Sequence, residues 1–399
     1  MPLSAGDDLH LLVRTAGGVA PAERRVVLDE HADLPLGEPD RWRCGYVLRG
    51  VMTDCRGVDD TAAPGALRPG SLRLRDARGP LRVGREVLVD EHWAAVTRTG
   101  PVTGPVIADY EFSLLRVDAL VLDGQTPRIV RGHSHLSNPL PPPIPAGSRH
   151  LAAIFVPYFA TASEAVVVRI DRGPGHPISP PQRELLPATS AALAAGRPLR
   201  ITCWGDSVTA GASASSLQTT YPAQLRQMLA AGGIAADVAT VAVGGTTSAE
   251  WFDDDAGVES GADWGQVAAT RPDLVILEFI NDADLEPGAW AGLYDGILRR
   301  IRELGADLLL LEPHFSRMDW MRIDRIDAAD PRPYVAFLRR FARREGVAIA
   351  AVSRRWERLY SEGVPYPTLL RNGINHPDDR GHRIFAEEAA AVIGVPRTT

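Results

Sequence analysis

The 399-residue chain contains no lysine, so all 43 of its basic residues are arginine. That excludes a Schiff-base or pyridoxal-phosphate lysine and a Walker-A lysine, with the enzyme classes that depend on them. Cysteine is scarce too: three in all, with Cys44, Cys55 and Cys203 far apart and no CxxC pair. Neither a disulfide framework nor a cysteine-built zinc cluster is expected. No apolar run approaches the ~18 residues of a membrane span. The N-terminus carries Asp7 and Asp8 where a secretory signal needs basic residues, so the expected location is cytoplasmic. Acids outnumber bases and leave a net charge of −7, which argues against nucleic acid or an anionic membrane as partner. What is present, 45% hydrophobic and 23% charged residues, suits a folded protein with sizeable cores.

The length suggests more than one domain on the usual scale of roughly 150 residues each. Residues 1–175 read as a β-sandwich: short apolar stretches at 26–28, 72–74, 85–89, 112–122, 151–157 and 165–170 are separated by Gly, Pro and Asp. Of two proline-rich stretches, the first, 139–145, fits a loop inside the β domain. The second, 174–181, marks the expected boundary, with a linker over 176–197 and a second domain over 198–399. In that second half, nearly continuous apolar runs at 199–204, 238–243, 274–280, 308–311 and 347–352 alternate with helical patterns. Among these patterns are Tyr221, Leu225, Met228 and Leu229; Leu293, Ile297, Ile301 and Leu304; and a last helix over 386–392 after His382. Strands buried on both faces, joined by helices, predict a three-layer α/β domain around a parallel sheet.

The polar residues that carry chemistry fall just after these strand-like runs. Cys203-Trp204-Gly205-Asp206-Ser207 ends the first, and open α/β sheets place their reacting groups at such strand ends. The stretch is not the GxSxG elbow, because position 209 is Thr. Gly244-Gly245-Thr246-Thr247-Ser248 follows the second run and can turn backbone N–H groups into a site. Asn281-Asp282 follows the third, and Asn372-Gly373-Ile374-Asn375-His376 lies near the C-terminus. Nucleophile, backbone donor, amide donor and imidazole base together are the parts of an acyl-transfer site.

In this order the four blocks resemble the SGNH/GDSL hydrolase superfamily, over roughly residues 198–395. The resemblance implies a flavodoxin-like fold, an added N-terminal β-rich domain being outside it, and hydrolysis of esters, often acetyl esters on sugars, with no metal or organic cofactor. It assigns Ser207 as nucleophile, Gly245 and Asn281 as oxyanion donors beside the Ser207 amide, and His376 as general base. Two departures stand out. Phe279-Ile280 precede Asn281 where the family has a glycine, and position 373 is Gly where the family has the triad acid three residues before the histidine. Asn372, a backbone carbonyl within 372–375, Asp378 or Asp379 could orient the imidazole instead; the reading preferred is a Ser-His dyad held by a backbone carbonyl or Asn372.

Other residues read as structural. Asp206 and Asp282 fit loop-holding acceptors, His382 a capping or supporting residue, and Asn372 and Asn375 serve equally as turn residues. His133-Ser134-His135 has metal-ligand spacing but no carboxylate nearby in sequence to complete a set. Trp251, His314, Phe315 and Trp320 follow strands and fit either a sugar-stacking pocket or core. The expected partner is a small ester, an acylated sugar foremost, and self-association stays open. The alternatives are acyl transfer to an alcohol, a lipid-type esterase on the same residues, or a carbohydrate-binding protein whose esterase half has decayed.

Overall fold

The computed structural model describes residues 8–37, 45–57, 61–171, 177–252 and 260–395. Cys44, Asp7 and the expected boundary near residue 175 lie outside the described residues. The chain divides into two compact units, 1–174 with 359–375, and 175–358 with 376–399.

The N-terminal unit is antiparallel β. One four-stranded sheet runs Arg24–Ala32, Val106–Ser113, Arg73–Asp76, Gly79–Pro80, and another runs Thr126–Val130, Arg116–Asp123, Arg149–Val156, Val166–Arg169. The single apolar stretch 112–122 is therefore two strands. Their break at Leu114-Leu115 lets the chain leave the first sheet, where Phe112 pairs with Arg25, and enter the second, where Val117 pairs with Phe155. Unforeseen in the sequence is a short helix, Leu9–Thr15, capped by the Asp8 carboxylate. It packs Val13 with Leu120, Ile154 and Val156 of the second sheet. Beside it Arg116 and Asp118 form a fully buried ion pair. Arg116 also donates to the Ala20 and Pro21 carbonyls, and Asp118 also accepts from Gly132 N. Such bonding is what makes a buried pair tolerable.

The C-terminal unit is a three-layer α/β fold. Its strands are β1 (Leu199–Gly205), β2 (Ala236–Ala242), β3 (Leu274–Glu278), β4 (Asp307–Leu311) and β5 (Ala348–Ala350), all parallel, in the order β2-β1-β3-β4-β5. The last apolar run is shorter as a strand than the sequence suggested, because Val352 already begins a helix. Helices α1 (Pro187–Ala194), α2 (Tyr221–Ala231), α3 (Trp264–Ala269), α4 (Trp290–Glu303), α5 (Pro333–Glu345), α6 (Val352–Leu359) and α7 (Asp379–Ile393) complete the described elements. Tyr294, Ile297 and Ile301 of α4 and Phe337, Leu338 and Phe341 of α5 share one core with Val275, Leu277, Leu308 and Leu310 of the sheet. Tyr221 of α2 stacks on Phe385 of α7 at 5.5 Å. The strand order reverses direction at β1, with β2 on one side and β3 on the other. That switch point is where open α/β sheets leave a crevice at the carboxyl ends of their strands.

Candidate active site

The turn that carries Ser207 begins where β1 meets β3. A Cβ on Gly205 would lie 2.1 Å from both the Glu278 carbonyl oxygen and Thr209 Oγ1. Glycine is required here for close approach of two strand ends, whereas Gly211, at φ +82°, is required for its left-handed backbone. Asp206 follows, fully buried: Oδ1 accepts from Val208 N at 3.1 Å and Oδ2 from Asn281 N at 3.2 Å. One carboxyl group thus joins the turn after β1 to the turn after β3, the loop-holding role expected of it. Ser207, half-buried, directs Oγ to within 2.8 Å of His376 Nε2.

The turn after β2 lies beside the same serine. A Cβ on Gly244 would stand 3.6 Å from Ser207 Cβ, and Gly245, exposed, has φ +83°. The turn after β3 is a 3₁₀ segment, Ile280–Asp284. Within it the Asn281 Nδ2 donates to the Thr246 carbonyl at 3.1 Å, so the altered third block still brings Asn281 to the Gly245 turn. Asp282 accepts from Ser248 N, Ser248 Oγ and the Tyr294 hydroxyl. It thereby holds the second and third turns together.

Three carboxyl groups at these strand ends, Asp206, Glu278 and Asp282, are fully buried. Burial pushes Asp206 up to about 7 and Asp282 up to about 6, against the hydrogen bonds that favour their charged forms. Glu278, the last residue of β3, is raised well above the ordinary carboxylate range by burial first and by the Asp206 charge next. Its Oε2 accepts from Thr209 Oγ1, which also lies 3.0 Å from the Tyr221 hydroxyl. Glu278 escaped the sequence reading; the available signal was one acid ending the otherwise apolar run Leu274-Val275-Ile276-Leu277. Cys203, within β1, is fully buried, and burial pushes its thiol up to about 12, which disfavours the reactive thiolate.

His376 follows a tightly bonded turn. Asn372 Oδ1 accepts from both Ile374 N and Asn375 N, and its Nδ2 donates to Asn375 Oδ1. Gly373 has φ +71°. His376 is almost fully buried. Asp378 caps α7, accepting from Arg380 N and Gly381 N and pairing with the Arg380 guanidinium. Asp379 accepts from Ser215 N at 2.7 Å. Both acids are thus engaged at the helix start. His382 lies inside α7, fully buried, its Nε2 at 3.3 Å from the Ala212 carbonyl.

The aromatic candidates divide. Trp251 is core, in edge contact with Trp204 at 5.7 Å, and His314 and Phe315 are buried. Trp320, in the turns after β4, is 44% exposed. In the N-terminal unit the His135 Nδ1 accepts from Ser137 N and Asn138 N, so that ring belongs to a turn. No cluster of three or more His, Cys, Asp or Glu able to hold a metal occurs among the described residues. No described helix is long and apolar enough to cross a membrane.

Residues 203–384 match the model of the GDSL-like Lipase/Acylhydrolase family. The match lies within the C-terminal unit except for residues 359–375, and this unit is therefore similar to that family. Similar solved structures include a two-domain esterase active on acetylated mannans, at 20% identity and a TM-score of 0.42, covering 55% of this chain and 54% of that one. The match thus spans about half the length of that esterase. An acetylxylan esterase from Geobacillus stearothermophilus is similar at 17% identity and a TM-score of 0.38, over 50% of this chain and 97% of its own. A protein from Slackia heliotrinireducens is similar at 20% identity and a TM-score of 0.38, over 50% of this chain and the whole of its own. No curated protein matches the chain.

Proposed function

We propose that the C-terminal unit hydrolyses small acyl esters, acetyl on a carbohydrate foremost, through an acyl-serine intermediate. The observation that carries this reading is the 2.8 Å contact of Ser207 Oγ with His376 Nε2 at the switch point of the sheet. His376 accepts the Ser207 proton as Oγ attacks the ester carbonyl. The oxyanion that forms takes hydrogen bonds from Ser207 N–H, Gly245 N–H and the Asn281 amide, whose second N–H is not the one given to Thr246. The imidazolium returns its proton to the leaving alkoxide, and water repeats the sequence on the acyl-enzyme. Acetyl on sugar is the substrate class that the resemblance implies, and Trp320 offers an exposed ring for a sugar face.

The test is a panel of p-nitrophenyl esters of increasing chain length beside acetylated mannan and xylan oligosaccharides, with labelling of Ser207 by an organophosphonate. Acetate release, fastest for the shortest acyl group, is expected. Fastest turnover of long acyl chains would replace the substrate class, and absence of both turnover and labelling would overturn the esterase reading.

A further inference from the structure

Both donors that would flank Ser207 N–H are tied to the turn after β2. This turn closes on itself at Thr246, whose hydroxyl donates to the Val243 carbonyl at 2.9 Å and accepts from the Trp251 indole Nε1 at 3.2 Å. The carbonyl of the same residue accepts from Asn281 Nδ2 at 3.1 Å. Thr246 therefore follows Gly245 in the chain and bonds Asn281 from the neighbouring turn, so one residue is attached to both the backbone donor and the amide donor. Thr246 and Trp251 are both buried, where a broken hydrogen bond is not replaced by one to water.

Trp251 is fixed in turn by the ends of the other two strands. Its ring stands edge-on to Trp204, the residue before Gly205, at 5.7 Å, and to Phe279, the residue after β3, at 6.4 Å. Trp204 and Phe279 are in edge contact with each other at 5.2 Å. Three rings from three segments thus touch one another, and the indole N–H of one of them reaches the turn that carries Gly245. All of these residues belong to the C-terminal unit.

We propose that Thr246 and Trp251 are positioning residues for the oxyanion site: the Trp251 indole pins the Thr246 hydroxyl, and Thr246 holds the Gly245 turn and the Asn281 amide in a single arrangement beside Ser207. The inference rests on the proposed esterase reading, in which Gly245 and Asn281 receive the oxyanion. Preorganised donors act without rearranging at the moment of reaction, so a loosened pair costs rate and not substrate affinity. Asp282 joins Ser248 to the third turn by separate bonds, so loss of the Thr246 hydroxyl leaves the two turns connected. Core packing and sugar stacking both need only the Trp251 ring, whereas this role needs its N–H.

The experiment uses the full chain with Trp251→Phe, which keeps a ring and loses the N–H, Thr246→Val, which keeps the shape and loses the hydroxyl, and Thr246→Ser, which keeps the hydroxyl. Arg344→Ala, which breaks exposed ion pairs with Asp295 and Glu345, is the control. On p-nitrophenyl acetate, kcat should fall about tenfold in Trp251→Phe and in Thr246→Val with KM unchanged. Thr246→Ser and Arg344→Ala should keep the wild-type kcat. The double variant of Trp251→Phe with Thr246→Val should be no slower than Thr246→Val alone, because both changes remove the same bond. The side-chain amide signals of Asn281, assigned by their disappearance in Asn281→Ala, should shift in Trp251→Phe and Thr246→Val and not in the control. A wild-type kcat in either of these two variants, additive losses in the double variant, or a Thr246→Ser as slow as Thr246→Val overturns the proposal and leaves the esterase reading standing. If the wild-type chain shows neither turnover nor organophosphonate labelling, the esterase reading falls, and the Asn281 amide signals judge the positioning alone: shifted in both variants they uphold it, unmoved they overturn it.

Discussion

Ser207 and His376 meet in one hydrogen bond, yet the two sides of that bond are built differently. The serine side is a junction of three strand ends with buried carboxyl groups: Asp206 bonds two turns, Asp282 bonds two turns, and Glu278 ends the third strand. The histidine side is a single loop whose order comes from an asparagine turn and a left-handed glycine. On the first side, groups far apart in sequence are gathered by the sheet, and removal of one leaves others in place. On the second, the bonded groups are near neighbours in sequence, from Asn372 to Asn375, just before His376.

The largest expected effect breaks the bond itself. Ser207→Ala should lower ester hydrolysis by about three orders of magnitude or more, with Tm preserved. A variant keeping half the wild-type rate would show that the serine side carries no chemistry. Next comes Asn281→Ala. Loss of one preorganised donor costs about 2.7–4 kcal/mol in the transition state, so kcat should drop roughly a hundredfold or more while KM stays put. An unchanged kcat would mean that the amide, although it reaches Thr246, is turned away from the oxyanion.

Gly373→Asp sharpens the contrast between the two sides, since it returns an acid to the family position. An acid there would be expected to help a bare dyad, but the φ of +71° and the approach of Pro64 Cδ oppose it. A non-glycine residue in this conformation costs about 1–2 kcal/mol, so Tm should fall and kcat should drop rather than rise. A gain in kcat would show that the loop yields readily and that the missing carboxylate was the greater lack.

The smallest effect is on the pH dependence of stability. Asp206 is raised from 3.8 to about 7 by burial, so the folded chain holds this proton more firmly than the unfolded one. The stabilisation is complete below about pH 3.8, and it is lost as pH rises through about 7. Asp206→Asn removes that loss. The variant should be less stable than the wild type at pH 4, and the gap, read from urea midpoints, should narrow toward pH 8. A gap constant with pH would show that Asp206 is charged throughout.

Most of the serine side was legible because its signals are local. Apolar runs mark strands buried on both faces, and Gly205, Gly245 and Asn281 each stand within a few residues of a run's end. Asp206 and Asp282 were legible as loop acceptors for the same reason. Glu278 was not, since an acid at a strand end says nothing of what lies behind it until the strand pairs on both sides. The break at Leu114-Leu115 was equally hidden: two strands read as one because burial makes both ends apolar, and only their different partners separate them. The aromatic residues were indistinguishable by spacing, and burial alone sorted Trp320 from Trp251, His314 and Phe315.

By itself the sequence determined the alternation of strand and helix, the β texture of the first half, and the four blocks that resemble the SGNH/GDSL superfamily, because periodicity and turn chemistry are short-range properties of a chain. Only the tertiary structure decided that residues 359–375 pack with the first half of the chain, that Asp378 and Asp379 are engaged at the start of α7, and that Gly373 occupies a left-handed conformation against Pro64 and Ser137. These are outcomes of long-range packing. Residues hundreds of positions apart compete there for the same space and the same hydrogen bonds, and no local pattern in the chain records which of them prevails.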